Sequence, residues 1–342
     1  MTTRRMRTLA ALSALLALAP LDVRDVAAAN LGWPGVQPVY SPTGTWDASS
    51  AIACPGNSTA GSSCFQINIH YPKTDDLLAK FSIFSPSSGA LSRTVVVVPG
   101  SPGTSFFGGI PAIPIVNDLA ALGYQVIQVL WVSNPQIITG FPGNMRTANA
   151  RYATLFKFLN LTFGGTGAWC GYGHSAGGGA LQYAATFFGE DAFFDAIMDS
   201  TGPAQGDGYL GCRNPASTTT LIDAALGTCA GVNGPQNIAP GGYFDNWLLD
   251  TSTCGAAVAA NAHDDASYKF SSLDAPDGVF FHPHTLFSFF QCTGNEAAGV
   301  GSPYVVKLNS AGSSITEVEC AARFAVVRTR RTEGTVGPML IK

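Results

Sequence analysis

Residues Gly171–Gly179 read GYGHSAGGG, and the five inside them, Gly173-His174-Ser175-Ala176-Gly177, have the form G-x-S-x-G. Gly, Ser and Ala are common residues, so the pattern gains meaning only from its surroundings. A nucleophile on a tight turn needs a strand before it and a helix after it. It also needs a backbone donor upstream, and an acid and a base downstream. The flanks meet the first two conditions. Gly167 to Tyr172 reads as a short strand, and Ala176 to Phe188 places Leu181, Ala184, Ala185 and Phe188 on one helical face. Ser175 therefore falls on a strand-to-helix turn. There the helix N-terminus supplies unpaired N–H groups and a positive potential.

Further out, Val95–Val98 is a β-branched run closed by Pro99-Gly100, and Gln125–Trp131 is a second apolar run. Such runs are expected of strands buried on both faces. Phe65–Tyr71 and Leu78–Phe84 alternate as half-buried strands do, Phe193–Met198 and Leu286–Cys292 are further strand candidates, and the last candidate ends in ECAARFAVV, residues 319–327. Arg146–Asn160 has helical spacing, with Tyr152, Leu155, Phe156 and Leu159 on one face. Strand and helix alternate, which predicts an α/β fold: a mostly parallel central sheet with helices on both faces. Asn30–Gly61, rich in Pro, Gly and Ser, predicts an irregular surface segment. Residues 200–284 carry Gly, Pro, Asn and three Cys, and are expected to form a cap or long insert after the sixth strand of a single domain, 30–342.

The chain of 342 residues is 46% apolar and 12% charged, enough for a sizeable core and too apolar for disorder. Its net charge of -4, with no basic run before the C-terminal tail, argues against a nucleic-acid partner. Residues 1–29 have the pattern of a secretory signal peptide. Arg4, Arg5 and Arg7 are followed by an apolar run from Thr8 to Leu21 and by Ala27-Ala28-Ala29 before Asn30. The run is short for a membrane span, so a secreted or periplasmic protein without stable membrane insertion is expected. All eight Cys lie after residue 29, an even count that favours disulfides in an exported chain. Cys54 with Cys64 is the simplest local pair, and Cys170, in the strand before the elbow, is expected to stay unpaired. No C-x-x-C pair, metal site or cofactor motif stands out.

The strand Val95–Val98 runs into Pro99-Gly100-Ser101-Pro102-Gly103-Thr104. A loop at this place must offer an N–H to a developing oxyanion. Pro102 cannot donate, so the N–H of Ser101 is the first candidate and that of Gly103 the second. The other donor is the N–H of Ala176, next to the nucleophile.

With these elements in place, the chain resembles an α/β-hydrolase from about Val95 to its C-terminus. Pro99-Gly100-Ser101-Pro102-Gly103 resembles the H-G-G-P-G oxyanion loop of several branches. The elbow resembles that of secreted esterases, lipases and polyester hydrolases. The stretch MDSTGPAQ, Met198 to Gln205, is similar to the end of strand six in secreted bacterial members of unassigned substrate. The resemblance implies a catalytic order of Ser, then Asp or Glu, then His. It puts the acid after Leu286–Cys292, at Glu296, with Asp199 as the alternative. No His follows Glu296, and Arg323 falls about where the resemblance puts it. A guanidinium stays protonated and is no general base at neutral pH. The five His are His70, His174, His263, His282 and His284. His282 and His284 precede their strand and are expected at the far edge of the sheet. His174 is expected to pack behind the elbow and His70 to be structural, which leaves His263 in the insert as the best substitute. The expected activity is hydrolysis of a small-molecule or polymeric carboxylic ester. Two alternatives are a ligand-binding protein with a degraded triad and an aminopeptidase-type amide hydrolase.

Overall fold

The apolar runs become the middle of one sheet. The structure, a computed structural model, describes residues 41–330 apart from 73, 86–92, 101, 107–114, 136–144, 165–166, 200–272, 293–296 and 322–323, with backbone alone at 290–292, 297–303, 316–321 and 324–330. These residues lie in the compact unit Tyr40–Lys342. The strands are β1 (Thr45–Trp46), β2 (Ser50–Ile52), β3 (Ser63–His70), β4 (Leu77–Phe84), β5 (Arg93–Val98), β6 (Gln125–Trp131), β7 (Ala168–Gly173), β8 (Ala196–Asp199), β9 (Leu286–Cys292), β10 (Ser314–Ala321) and β11 (Phe324–Arg330). Four α-helices are described: α1 (Ile115–Ala121), α2 (Met145–Phe163), α3 (Ala176–Phe188) and α4 (Ala297–Ala311).

The strand order is β1-β3-β4-β6-β5-β7-β8-β9-β10-β11, with β2 paired to β3. From β6 to β10 every neighbouring pair is parallel; β3, β4 and β11 join antiparallel. The chain steps one way from β5 to β6 and the other way from β6 to β7. Right-handed crossovers therefore put α1 on one face and α2 on the other. The steps β7 to β8 and β9 to β10 repeat the second direction, so α3 and α4 join α2. A hydrogen bond between Thr186 of α3 and Tyr304 of α4 (2.8 Å) links these two helices.

Burial follows the sequence pattern. Every residue of β6 is buried, as are Thr94–Val98 of β5. The anticipated faces of α2 and α3 are buried in one apolar cluster with Phe81, Val98, Ile127 and Trp131. Three elements differ from expectation. The strand expected from Phe193 begins at Ala196, because a 3-10 turn, Glu190–Ala192, takes up the preceding chain and the Phe194 N–H bonds to Glu190 O (3.2 Å). The C-terminal ECAARFAVV is divided between two strands, with Ala321 opposite Phe324 in an antiparallel pair. Residues 45–52, in the segment expected to be irregular, contribute β1 and β2.

Residues 200–272 of the anticipated insert lie outside the described residues. Its last part belongs to the core: Leu273 and Ala275 are buried, and the Val279 N–H donates to Thr186 O (3.0 Å). The Arg146 guanidinium grips Asp277 through two bonds of 2.6 and 2.8 Å. Cys54 and Cys64 form the anticipated disulfide, and Cys170 is a free thiol. Desolvation, with the nearby Asp195 carboxylate adding to it, pushes the Cys170 pKa up to about 12. Cys212, Cys229 and Cys254 lie outside the described residues, and so do the side chains of Cys292 and Cys320. Among the described residues no helix is long and apolar enough to cross a membrane.

Candidate active site

Strand β7 ends at Gly173 and α3 begins at Ala176, so His174 and Ser175 must reverse the chain within two residues. Ser175 has φ 52° and ψ -122°, and it is the only non-glycine residue with positive φ among those described. A conformation of this kind costs about 1–3 kcal/mol and persists only where its surroundings impose it. Three glycines allow the surroundings to close in. A Cβ on Gly173 would collide with the backbone of Gly177 and Gly178, one on Gly177 with the carbonyls of Val98 and Pro99, and one on Gly178 with the Asp199 carboxylate. Ser175 occupies the N-cap of α3, yet its hydroxyl makes no cap hydrogen bond.

The oxyanion loop lies alongside. A Cβ on Gly100 would stand 3.1 Å from Ser175 Cβ and 3.1 Å from His174 Cδ2. The His174 N–H donates to Val98 O (3.1 Å), fixing the elbow to the end of β5. Ala176 is the first residue of α3, so its N–H has no intrahelical acceptor. Of the two upstream donors considered, Ser101 lies outside the described residues. Gly103 is otherwise engaged: its N–H donates to Gly100 O (2.9 Å), closing a turn, and its carbonyl accepts the Trp131 N–H (2.8 Å). The second-choice donor is thus removed.

The strand order and this elbow together decide the architecture. The chain has the α/β-hydrolase fold. No family model matches the sequence, and no curated protein does. Among solved structures it is similar to brefeldin A esterase, a bacterial homologue of human hormone-sensitive lipase (14% identity, 84% of this chain and 70% of that one, TM-score 0.43). It is also similar to a lipase in its open form (16%, 75% and 89%, TM-score 0.40). A third is carboxyl esterase 2 of the mycorrhizal fungus Tuber melanosporum (12%, 78% and 78%, TM-score 0.42).

Four of the five histidines are described. His70 ends β3, four strand spacings from β7, roughly 19 Å across the sheet. Its ring is clamped between Asp76 (Nδ1, 2.8 Å) and Asp47 (Nε2, 3.0 Å), and these two carboxylates raise its pKa. His282 and His284 precede β9. Phe289, five residues beyond His284, is level with Asp199, so His284 stands ~16 Å of strand rise below the elbow edge. His282 is fully buried, with Nδ1 3.0 Å from Asp191 Oδ2 and its ring 5.2 Å from that of Phe287. The half-buried His174 keeps its ring against Gly100, and burial lowers its pKa. His263, Arg323 and Glu296 lie outside the described residues.

Asp199, the alternative acid, is the last residue of β8 and stands opposite Gly173 in the β7–β8 register. It is fully buried and accepts a 2.6 Å hydrogen bond from Gln182 Nε2. Gln182 escaped the sequence reading. A signal was present in it: AGGGALQYAATFF holds a single side-chain amide amid mostly small and apolar residues. Among the described residues no group of three or more His, Cys, Asp or Glu is placed to hold a metal ion.

Proposed function

We propose that the protein is an exported serine hydrolase that cleaves a carboxylic ester through an acyl-enzyme on Ser175. The observation that carries this reading is the strained Ser175, its hydroxyl kept out of the helix cap and its Cβ against Gly100 of the preceding loop. In the reaction Ser175 Oγ attacks the ester carbonyl carbon while its proton passes to an imidazole. The carbonyl π electrons move onto oxygen, where the Ala176 and Ser101 N–H groups hold the negative charge. Collapse reforms the C=O bond and expels the alcohol, which takes the proton. Water then repeats the sequence on the acyl-serine and releases the acid.

Glu296 is the acid in this scheme and Asp199 its alternative. His263 is the base best able to substitute, with Arg323 near the family's usual place. The domain comprises 30–342 after removal of 1–29, and the substrate is a small or polymeric ester. A second reading, a hydrolase fold that binds a ligand with little turnover, draws on the placement of His70 and His282, each engaged by carboxylates away from the elbow.

The test uses p-nitrophenyl butyrate and a fluorophosphonate probe. Wild type is expected to hydrolyse the ester and to take the label on Ser175, and Ser175→Ala to lose both. Loss of a triad nucleophile leaves only the part of the acceleration that binding and the oxyanion hole supply, about 10³–10⁴-fold over water. A well-folded wild type that neither labels nor turns over supports the binding protein instead.

A further inference from the structure

The first turn of α3 is held on two sides. On one side Gly177 rests on the Val98 and Pro99 carbonyls at the end of β5. On the other side the Asp199 carboxylate fills the space a Cβ on Gly178 would need. Four residues on from Gly178, and so on the same helix face, Gln182 Nε2 donates to Asp199 Oδ2 at 2.6 Å. Both side chains are fully buried. Gln182 Oε1 has no hydrogen-bond partner among the described residues. The carboxylate lies at the positive end of α3, where a negative charge is favoured. Within the clamped turn the Gly177 N–H bonds to His174 O (2.9 Å) and the Gly179 N–H to Ser175 O (3.2 Å). Those two bonds span the strained residue.

We propose that Asp199 is a positioning residue for the elbow: bonded to Gln182 and packed on Gly178, it holds the first turn of α3 against β5 and thereby maintains Ser175 and the Ala176 N–H in their working geometry. Its effect on catalysis rests on Ser175 being the nucleophile; its effect on the helix does not. This role differs from that of a triad acid, because it asks of Asp199 shape and an acceptor oxygen rather than charge beside an imidazole.

The experiment pairs residue-resolved amide exchange with steady-state hydrolysis of p-nitrophenyl butyrate. In Asp199→Ala the Gly177 and Gly179 amides are expected to lose protection about tenfold or more, while Ala184 and Ala185, further along α3, keep theirs. kcat is expected to fall about 10²-fold, as for a displacement near 1 Å, with KM within about threefold. Asp199→Asn keeps the shape and an acceptor for Gln182. It is expected to restore protection and to bring kcat within about tenfold of wild type. Unchanged protection in Asp199→Ala overturns the proposal. So does an Asp199→Asn that keeps full protection yet loses kcat by about 10⁴-fold, the signature of a triad acid. Should Asp199→Ala fail to fold, Gln182→Met removes the donor at similar volume, and the same selective loss at Gly177 and Gly179 is expected; its absence refutes the clamp. If Ser175→Ala retains hydrolysis, the nucleophile assignment fails by itself, and exchange still decides the role of Asp199.

Discussion

Ser175 and Glu190 lie at opposite ends of α3, and each holds a state that its side chain or backbone resists. At Ser175 the strain is torsional. At Glu190 it is electrostatic: the residue is 1% exposed and its Oε2 has no partner among the described residues. Burial lifts the Glu190 pKa well above the carboxylate range; Lys157 opposes this and Asp191 adds to it. The folded state therefore binds the Glu190 proton more tightly than the unfolded chain does. Its contribution is fully present below the unfolded pKa and is lost as pH rises through the folded one. Glu190→Gln is accordingly expected to stabilise the fold at pH 8 by on the order of 1–3 kcal/mol, with little change near pH 4. Urea midpoints at the two pH values check this; an equal effect at both would refute the linkage. At this scale Ser175 was legible because its neighbours form a short contiguous pattern. Asp199 and Gln182 meet only once β8 is laid beside β7, and no local pattern announces that pairing.

The elements follow the same division. Strand β6 and helix α3 have the bounds that their apolar runs and spacing indicate. Helix α4 went unrecognised because AAGVGSPYVVKLNSA mixes Gly, Ser and Pro into its turns, and α1 because seven residues make too little periodicity to see. The antiparallel pair β10–β11 went unrecognised because ECAARFAVV carries none of the Asn-Gly or Asp-Gly signals that divide one strand from the next. Helix α3 also gives a test in which propensity and packing disagree in sign. In an open helix, Gly→Ala stabilises by about 1 kcal/mol. Gly177→Ala, whose Cβ would enter the Val98 and Pro99 carbonyls, is expected to destabilise by about 2 kcal/mol or more. Chemical denaturation reads the sign directly, and a stabilised Gly177→Ala would mean that the elbow is looser than described.

Across the whole molecule, the fold class was readable because parallel strands buried on both faces leave long apolar runs, and crossover handedness then limits where the helices lie. The proposed export rests on residues 1–29, which lie outside the described ones, and it is tested on protein expressed from the full sequence. Intact mass is expected to show a chain beginning at Asn30, with few of its eight Cys titrating as thiols under denaturing conditions. A chain still starting at Met1 with eight thiols would refute export.

The grip of Arg146 on Asp277 joins positions 131 residues apart in the chain. Leu273 and Ala275, buried just before it, and Asp277 itself are thereby fixed against the core before β9 begins. A contact between such distant positions rewards the chain only after the entropy of bringing them together has been spent. The pair is therefore expected to be a late fastener, closing a seam that the sheet has already drawn together rather than drawing it together.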